Sequence, residues 1–250
     1  MKKISVVIPC YNEEIGIGDV IEGIPSKRLG QLGYFCEVLV INNNSTDRTA
    51  EIAREKGAIV VDEPMQGKGY AMLKGFKSVP QDADIVVMLD GDNTYQSKEM
   101  IRLVEPIDSG FCDVVVGTRL GGKMSADSMT YFNRVGNWFF TFLVRVAYSG
   151  CVTDVCTGYF AWRKHVIDDL LGCVESNGFS LEMEMVTKMA RMGYEMYSVP
   201  ITYSARHGSS SLRPLKDGSV IFYTWWKNIF WKGDGYQKLP AKRYLEAKNE

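Results

Sequence analysis

Four short, almost wholly apolar runs in the first 90 residues constrain the fold more than any other feature of the chain. They are ISVVIP (4–9), CEVLVI (36–41), AIVV (58–61) and ADIVVMLD (83–90). Runs of this kind are typical of strands that are covered on both faces. Because a helix-length segment separates each run from the next, they predict an α/β fold with a mostly parallel sheet and right-handed crossovers.

Each of these runs is followed by polar residues. The polar segments are CYNEE (10–14), NNNSTD (42–47), DEPMQGKG (62–69) and DGDNTY (90–95). The carboxyl ends of parallel strands meet at one edge of a sheet, and ligands bind beyond that edge. We therefore expect these segments to line one ligand-binding rim.

Asp90 and Asp92 lie one glycine apart where the fourth run ends. Two carboxylates this close repel each other unless a cation lies between them, and Mg²⁺ usually binds one or two carboxylates together with substrate phosphates. Gly91 permits an unusual backbone angle between them. The residues alone fit a polar turn equally well, and their place on the predicted rim favours the metal site.

Other rim residues allow two interpretations each. Tyr11 could stack on a nucleobase and Glu13 could bond a ribose, although acids in the first turn of a helix explain this segment better. The next loop could offer polar groups to a base edge, and Ser45 or Asp47 could cap a helix there. Lys68, at a predicted helix start, could meet a phosphate or remain solvated.

The second half is less regular. CDVVVGTR (112–119) and MYSVPITY (196–203) predict two strands, and residues 133–148 and 178–194 predict helices. Glu182 and Glu184 face different directions on such a helix, so we do not expect a paired acid and base. Cations in several loops, Arg119, Arg134 and Arg206 among them, suit a second phosphate-bearing ligand, although any single one could be solvated.

Composition narrows the class of protein. The net charge is −1 over 250 residues, so a nucleic-acid partner is not expected. We interpret residues 1–204 as one domain and residues 205–250 as an extension that is too short to fold alone. The six cysteines show no metal-binding or redox spacing and predict reduced thiols in a cytoplasmic protein. No apolar stretch approaches the length that spans a bilayer.

Taken together, these motifs resemble the family-two glycosyltransferases of the GT-A fold, a Rossmann-like architecture. The likeness is greatest to the dolichyl-phosphate and polyprenyl-phosphate sugar synthases. It covers residues 4 to about 222, in this order: VVIPCYNEE, VINNNSTDRT, QGKGYAM, DADIVVMLDGDNTY, DVVVGTRL, FNRVGNWFF, DVCTGYFAWRK, GFSLEMEM and RHGSSSLRPLKDG.

The resemblance implies inverting, metal-dependent transfer of a sugar from a nucleotide-diphosphate sugar to a polyprenyl or dolichyl phosphate. A phosphate acceptor is already an oxyanion at neutral pH, so no dedicated base is expected. The implied nucleotide-binding residues are Pro9, Tyr11, Glu13, Asn43 and Asp47, with Lys68 at the phosphates. The implied ligands of Mg²⁺ or Mn²⁺ are Asp90 and Asp92, and Asp92, Arg119, Arg134 and Arg206 are the implied catalytic residues, with Ser209 to Ser211 in the acceptor loop.

Two finer expectations follow. Many relatives have Asp where this chain has Asn42 or Asn43. An amide there offers one acceptor to the single N3–H of uracil, which favours a UDP-sugar over GDP-mannose as the donor. The aromatic segments VGNWFFTFLVRVAY (135–148) and VIFYTWWKNIFW (220–231) suit an amphipathic, peripheral contact with the cytoplasmic face of a membrane, or plain core packing. A soluble phosphorylated acceptor and a non-catalytic nucleotide-sugar-binding protein are the alternative functions.

Overall fold

The computed structural model describes residues 1–148, 152–206 and 213–233. Its centre is a seven-stranded sheet with the order β3-β2-β1-β4-β6-β5-β7. The strands are β1 (Lys2–Cys10), β2 (Tyr34–Asn42), β3 (Ile59–Asp62), β4 (Ile85–Met88), β5 (Val114–Met124), β6 (Phe160–Arg163) and β7 (Met196–Tyr203).

Helices cover both faces of this sheet. They are α1 (Ile17–Glu22), α2 (Ser26–Gln31), α3 (Thr49–Glu55), α4 (Lys68–Ser78), α5 (Met100–Asp108), α6 (Tyr131–Tyr148), α7 (Lys164–Leu171), α8 (Leu181–Met192) and α9 (Pro214–Ile229). The apolar residues of α1, α2, α3 and α5 form one buried cluster, and those of α4, α7 and α8 form the other. The prediction of cover on both faces is confirmed for β1 and β4, whereas β3 lies at the edge of the sheet and leaves Ile59 50% exposed.

The direction of the strands explains the position of the rim. β1 pairs in parallel with β2 and β4, β2 with β3, and β5 with β7. β6 runs antiparallel to both β4 and β5, and Phe160 pairs with Met88 at the end of β4. The mostly parallel sheet of a GT-A, Rossmann-like α/β fold is confirmed. The sequence did not predict β6, which is four residues long, contains Arg163 and leads directly into a helix.

Helix α6 has one buried face and one exposed face. Asn137 and Thr141 are buried, whereas Trp138 is 61% exposed and Phe142 is 50% exposed. The buried side chains bind the loop before β6, because Val155 N donates to Thr141 Oγ1 at 3.2 Å and Asn137 Nδ2 donates to Asp154 at 2.7 Å. Val144, Phe140 and Tyr148 join or pack against the core cluster of α4, α7 and α8, so this segment is packed in the core on one side only.

Helix α9 belongs to the predicted C-terminal extension and packs on α8. Asn228 Nδ2 donates to Thr187 Oγ1 at 2.7 Å, and buried Ile221 joins the cluster formed by α4, α7 and α8. Tyr223 and Trp226 lie exposed on the outer side of α9. Across the described ranges, no helix is both long and apolar enough to span a bilayer.

The structure pairs none of the cysteines that it describes in a disulfide. The five thiols within those ranges are all free, and Cys151 lies outside them. They are Cys10, Cys36, Cys112, Cys156 and Cys173.

Candidate active site

Two adjoining cavities lie at the rim. The first, of about 290 Å³, is the β1 cavity, and it is lined by Pro9, Cys10, Tyr11, Glu13, Asn43, Gln66, Gly67, Lys68, Ala71, Asp90, Gly91, Phe179 and Arg206. The second, of about 380 Å³, is the α6 cavity. Its lining includes Lys68, Asp90, Tyr95, Arg119, Phe132, Gly136, Phe140, Phe179, Glu182, Arg206, Gly218 and Ile221. Lys68, Asp90, Phe179 and Arg206 line both cavities, so these residues mark the junction.

Asp90 and Asp92 each face a cation. Asp90 Oδ1 lies 2.9 Å from Lys68 Nζ, and Asp92 forms an ion pair with Arg206. Asp92 is only 1% exposed, and its other oxygen accepts hydrogen bonds from Thr94 N at 3.0 Å and Thr94 Oγ1 at 2.6 Å. The negative charges of both carboxylates are thus paired with cationic side chains of this chain.

Lys68 is the centre of a buried charge network. Its Nζ also lies 2.7 Å from Glu182 Oε1, and Glu182 is buried. Burial lowers the pKa of Lys68, but the Asp90 and Glu182 carboxylates more than offset that effect, so the pKa lies above its ordinary value. Lys68 is therefore a permanent cation at the junction of the cavities, and the alternative of a solvated lysine is wrong.

The chemistry of the donor set fits a divalent cation. Asp90 and Asp92 supply hard carboxylate oxygens, the ligands that Mg²⁺ prefers. Among the described residues, no group of three or more His, Cys, Asp or Glu side chains forms a closed metal cage. A cation here would need oxygens from another molecule, and Mg²⁺ commonly completes its shell with substrate phosphates and water.

Pro9, Tyr11 and Glu13 lie where the sequence predicts them, around the β1 cavity. Tyr11 is 41% exposed, which leaves its ring accessible. Burial and the neighbouring Asp92 carboxylate raise the pKa of Glu13 to about 7. These residues remain predicted nucleoside contacts.

Asn43 and Asp47 make contacts that differ from the predicted ones. The amide of Asn43 donates to Met65 O at 2.7 Å and accepts from Gly67 N at 2.7 Å, so it holds a loop in place beside the β1 cavity. Asp47 accepts hydrogen bonds from Glu14 N at 3.1 Å and Thr49 N at 3.0 Å, and it does not line the cavity. The argument for uracil depends on the amide oxygens of Asn42 and Asn43. These oxygens accept hydrogen bonds from Ser45 N and Gly67 N, which weakens that argument.

Arg119 lies in a different environment from the one expected. It belongs to β5, is buried, and forms a bidentate pair with Asp154, with both Nε–Oδ2 and Nη2–Oδ1 at 2.8 Å. Its Nη2 also donates to the carbonyl of Cys156 at 2.6 Å. The guanidinium still lines the α6 cavity, but it holds the loop before β6.

The structure does not bring Arg134 to either cavity. It is exposed on α6, one residue beyond Asn133, which does line the α6 cavity. Successive residues of a helix point about 100° apart, so the two side chains project in different directions. The role of Arg134 at an acceptor phosphate remains a prediction, and Ser209 to Ser211 lie outside the described residues.

Several residues of the site were not found from the sequence. Tyr95 is buried, and its hydroxyl accepts a hydrogen bond from Gly158 N at 2.7 Å, which fixes the strand reversal beside Asp90. Phe179 precedes α8 and lines both cavities. Asp154 is fully buried and has no sequence signal beyond its place in one of the quoted motifs.

A model of glycosyl transferase family 2 matches residues 5–171. The chain belongs to this family. Glycosyltransferase AglJ of Haloferax volcanii is 34% identical over 88% of this chain and 69% of its own length. The dolichyl-phosphate hexose transferase of the same organism is 34% identical over 87% of this chain and 90% of its own. The low-salt glycan biosynthesis hexosyltransferase Agl6 of H. volcanii is 35% identical over 86% of this chain. This chain spans about half of the length of Agl6, 51%. The protein is a glycosyltransferase.

Solved structures confirm the fold of this family 2 glycosyltransferase. Glucosyl-3-phosphoglycerate synthase from Mycobacterium tuberculosis, in complex with Mn²⁺, UDP-glucose and phosphoglyceric acid, superposes with a TM-score of 0.69. The two chains are 25% identical, and the match covers 91% of this chain and 80% of that one. A complex of the same enzyme with Mn²⁺, UDP and glucosyl-3-phosphoglycerate gives 0.70 at 23% identity, with the same shares covered.

Proposed function

We propose that this glycosyltransferase moves a hexose from a UDP-sugar to the phosphate of a membrane polyprenol such as dolichyl phosphate. The observation that supports the proposal best is the position of the α6 cavity. Its lining combines the charged side chains that it shares with the β1 cavity and apolar side chains of α6 and α9. An acceptor with an anionic head and an apolar tail matches this combination.

The apolar part of the α6 cavity opens towards the surface. Phe132 lines it and is 58% exposed, so this ring stands at the opening. Phe140 and Ile221 line the same cavity from α6 and α9. Lys68 and Arg206 lie at the junction with the β1 cavity, where the acceptor phosphate would bind.

Exposed aromatic side chains on other faces of α6 and α9, which do not line the α6 cavity, suit a membrane surface. Trp138 and Phe142 stack with ring centroids 5.9 Å apart on the outside of α6, and Tyr223 and Trp226 are exposed on α9. Exposed apolar patches of this kind mark interaction sites, and aromatic rings favour the membrane interface. We place the protein peripherally on the cytoplasmic side, in keeping with its free thiols.

The β1 cavity is the proposed nucleotide site. Tyr11 and Glu13 would contact the nucleoside, and Asp90 and Asp92 would hold Mg²⁺ or Mn²⁺ together with the diphosphate. The M. tuberculosis enzyme of the same fold binds UDP and Mn²⁺, which supports a UDP-sugar here. When bound, the cation would neutralise the departing diphosphate.

The reaction needs alignment of two anions rather than a base. A phosphate monoester has a second pKa of about 6, so its oxygen is already a nucleophile at neutral pH. That oxygen forms a bond to the anomeric carbon from the face opposite UDP. The bond from this carbon to the diphosphate oxygen breaks, and its electron pair leaves with UDP. Lys68 and Arg206, which line both cavities, would hold the anions in line.

The direct test offers two acceptors to the purified protein. Labelled UDP-glucose, UDP-N-acetylglucosamine or GDP-mannose is incubated with Mg²⁺ and either polyprenyl phosphate or 3-phosphoglycerate, and lipids are extracted. We expect label in the organic phase with a UDP-sugar and polyprenyl phosphate. Transfer to 3-phosphoglycerate alone would favour the soluble-acceptor alternative. Binding of nucleotide without any transfer would favour the non-catalytic one.

A flotation assay tests the membrane surface separately. The wild-type protein should float with liposomes that contain anionic lipid, and the double variant Trp138→Glu, Phe142→Glu should not. Phe35→Glu, which changes an exposed ring on β2, is the matched control and should float. Equal flotation of the double variant and the wild type would contradict the assignment of α6 to the membrane.

A further inference from the structure

In the proposed reaction the β1 cavity holds the nucleotide and the α6 cavity holds the acceptor. The transferred sugar would therefore lie at the junction between the two cavities. Four side chains line both cavities. Lys68, Asp90 and Arg206 are charged and already have phosphate or metal roles in the proposed reaction. The fourth is Phe179, an aromatic side chain in the motif GFSLEMEM that has no role in the reaction described so far.

The loop that carries Phe179 is fastened to α8 by a buried ion pair. Glu184 accepts hydrogen bonds from Glu175 N at 3.1 Å and Ser176 N at 2.7 Å. Its second oxygen lies 2.6 Å from Lys188 Nζ, and both side chains are 4% exposed. The Lys188 ammonium also donates to the carbonyl of Cys173. Two buried charges therefore hold this backbone in one position.

The other side of the loop rests directly on the start of α4. Gly69 N donates to Asn177 O at 3.0 Å, and a Cβ on Gly69 would lie 2.0 Å from Ser176 O. Gly67 has a φ of 148°, and its Cβ would lie 2.6 Å from Asn177 O. Only glycine permits this approach of two backbones. The loop cannot move towards α4, so the backbone just before Phe179, which lines the junction with Lys68, is held in place.

We propose that Phe179 is the platform on which the transferred hexose lies, and that it determines which sugar the enzyme accepts. A hexose ring presents C–H groups on one face, and the electron-rich face of an aromatic ring attracts such groups. The three charged residues at the junction then face the phosphates, the metal and the hydroxyl groups. This inference rests on the proposed function in placing the nucleotide in the β1 cavity and the acceptor in the α6 cavity.

Calorimetry without any acceptor tests the platform. UDP and the UDP-sugar that binds best are titrated, with Mn²⁺ present, into the wild-type protein, Phe179→Leu and Phe179→Tyr. In Phe179→Leu we expect affinity for the UDP-sugar to fall by about five- to tenfold, the size of an aromatic stacking contribution, and affinity for UDP to stay within about twofold. Phe179→Tyr keeps the ring and should bind both as the wild type does.

Phe111→Leu is the matched control, because Phe111 is an exposed phenylalanine that lines neither cavity. It should bind both ligands normally. Equal weakening of UDP and UDP-sugar in Phe179→Leu would overturn the platform, since the ring would then act on the nucleotide or the loop. Unchanged binding of both would overturn it as well. Because no acceptor is present, a failure of lipid glycosylation does not affect this result.

Discussion

Replacing Lys68 by methionine removes the only cation that touches both Asp90 and Glu182 among the described residues. The separations are 2.9 and 2.7 Å, so each pair gains about 6 kcal/mol of Coulomb attraction at an effective dielectric constant of about 20. Desolvation offsets much of this, and breaking a buried pair by removing one partner costs about 3–5 kcal/mol. Because the Lys68 side chain is 18% exposed, we expect a loss near the lower limit, about 3 kcal/mol.

The assay is thermal unfolding in a chelator and then with Mn²⁺ added. For a chain of this size a loss of about 3 kcal/mol lowers the unfolding midpoint by about 6–12 °C. Mn²⁺ alone should raise the midpoint of Lys68→Met by more than that of the wild type, because the cation replaces the missing positive charge at Asp90. Lys77→Met, at an exposed position in the same helix, should unfold as the wild type does. An unchanged midpoint in chelator, or equal gains with Mn²⁺, would refute the argument.

Three further predictions concern the same rim. Asp154→Asn leaves the buried Arg119 guanidinium with an incomplete partner and should cost about 3 kcal/mol in urea unfolding; a loss below about 0.5 kcal/mol would contradict this. In Gly158→Ala the new Cβ would lie 2.3 Å from Asp90 Oδ2, so Mn²⁺ affinity measured by calorimetry should fall about tenfold, and an unchanged affinity would show that Asp90 is not a ligand. The pKa of Glu13 is raised to about 7, so the native state binds this proton more tightly than the unfolded state, and the contribution of Glu13 to stability declines as the pH rises from about 4.5 to about 7. Glu13→Gln should remove that decline in ligand-free unfolding measurements from pH 5 to pH 8, and parallel curves for the two proteins would contradict the shift.

The parallel half of the fold could be predicted because its rules are local. Uninterrupted apolar runs predict buried strands, and parallel strands bring their carboxyl ends to one edge. That reasoning was enough to place Tyr11, Glu13, Lys68 and Asp90 around one cavity. It needed no knowledge of side-chain partners.

The partners of the polar side chains could not be predicted in this way. Arg119 pairs with Asp154, which reaches it only because β6 reverses direction between β4 and β5. Asn43 binds backbone groups of a loop more than 20 residues away. Such contacts depend on tertiary packing and have no periodic signal.

The orientation of α6 did have a signal in the sequence. Asn133, Asn137 and Thr141 recur at every fourth position, which places them on one face of a helix. A polar stripe within an aromatic helix indicates either a solvent-exposed face or a buried set of hydrogen bonds. The structure shows the second for Asn137 and Thr141, and Trp138 and Phe142 face outwards as a result.

The lining of the two cavities divides along the chain. Apart from Phe179 and Arg206, the β1 cavity is built by residues up to Gly91, whereas most of the α6 cavity is built by residues from Arg119 onwards. Helix α5 lies between these two segments and lines neither cavity. A hybrid joined within α5 would therefore take most of its β1 cavity from one parent and most of its α6 cavity from the other.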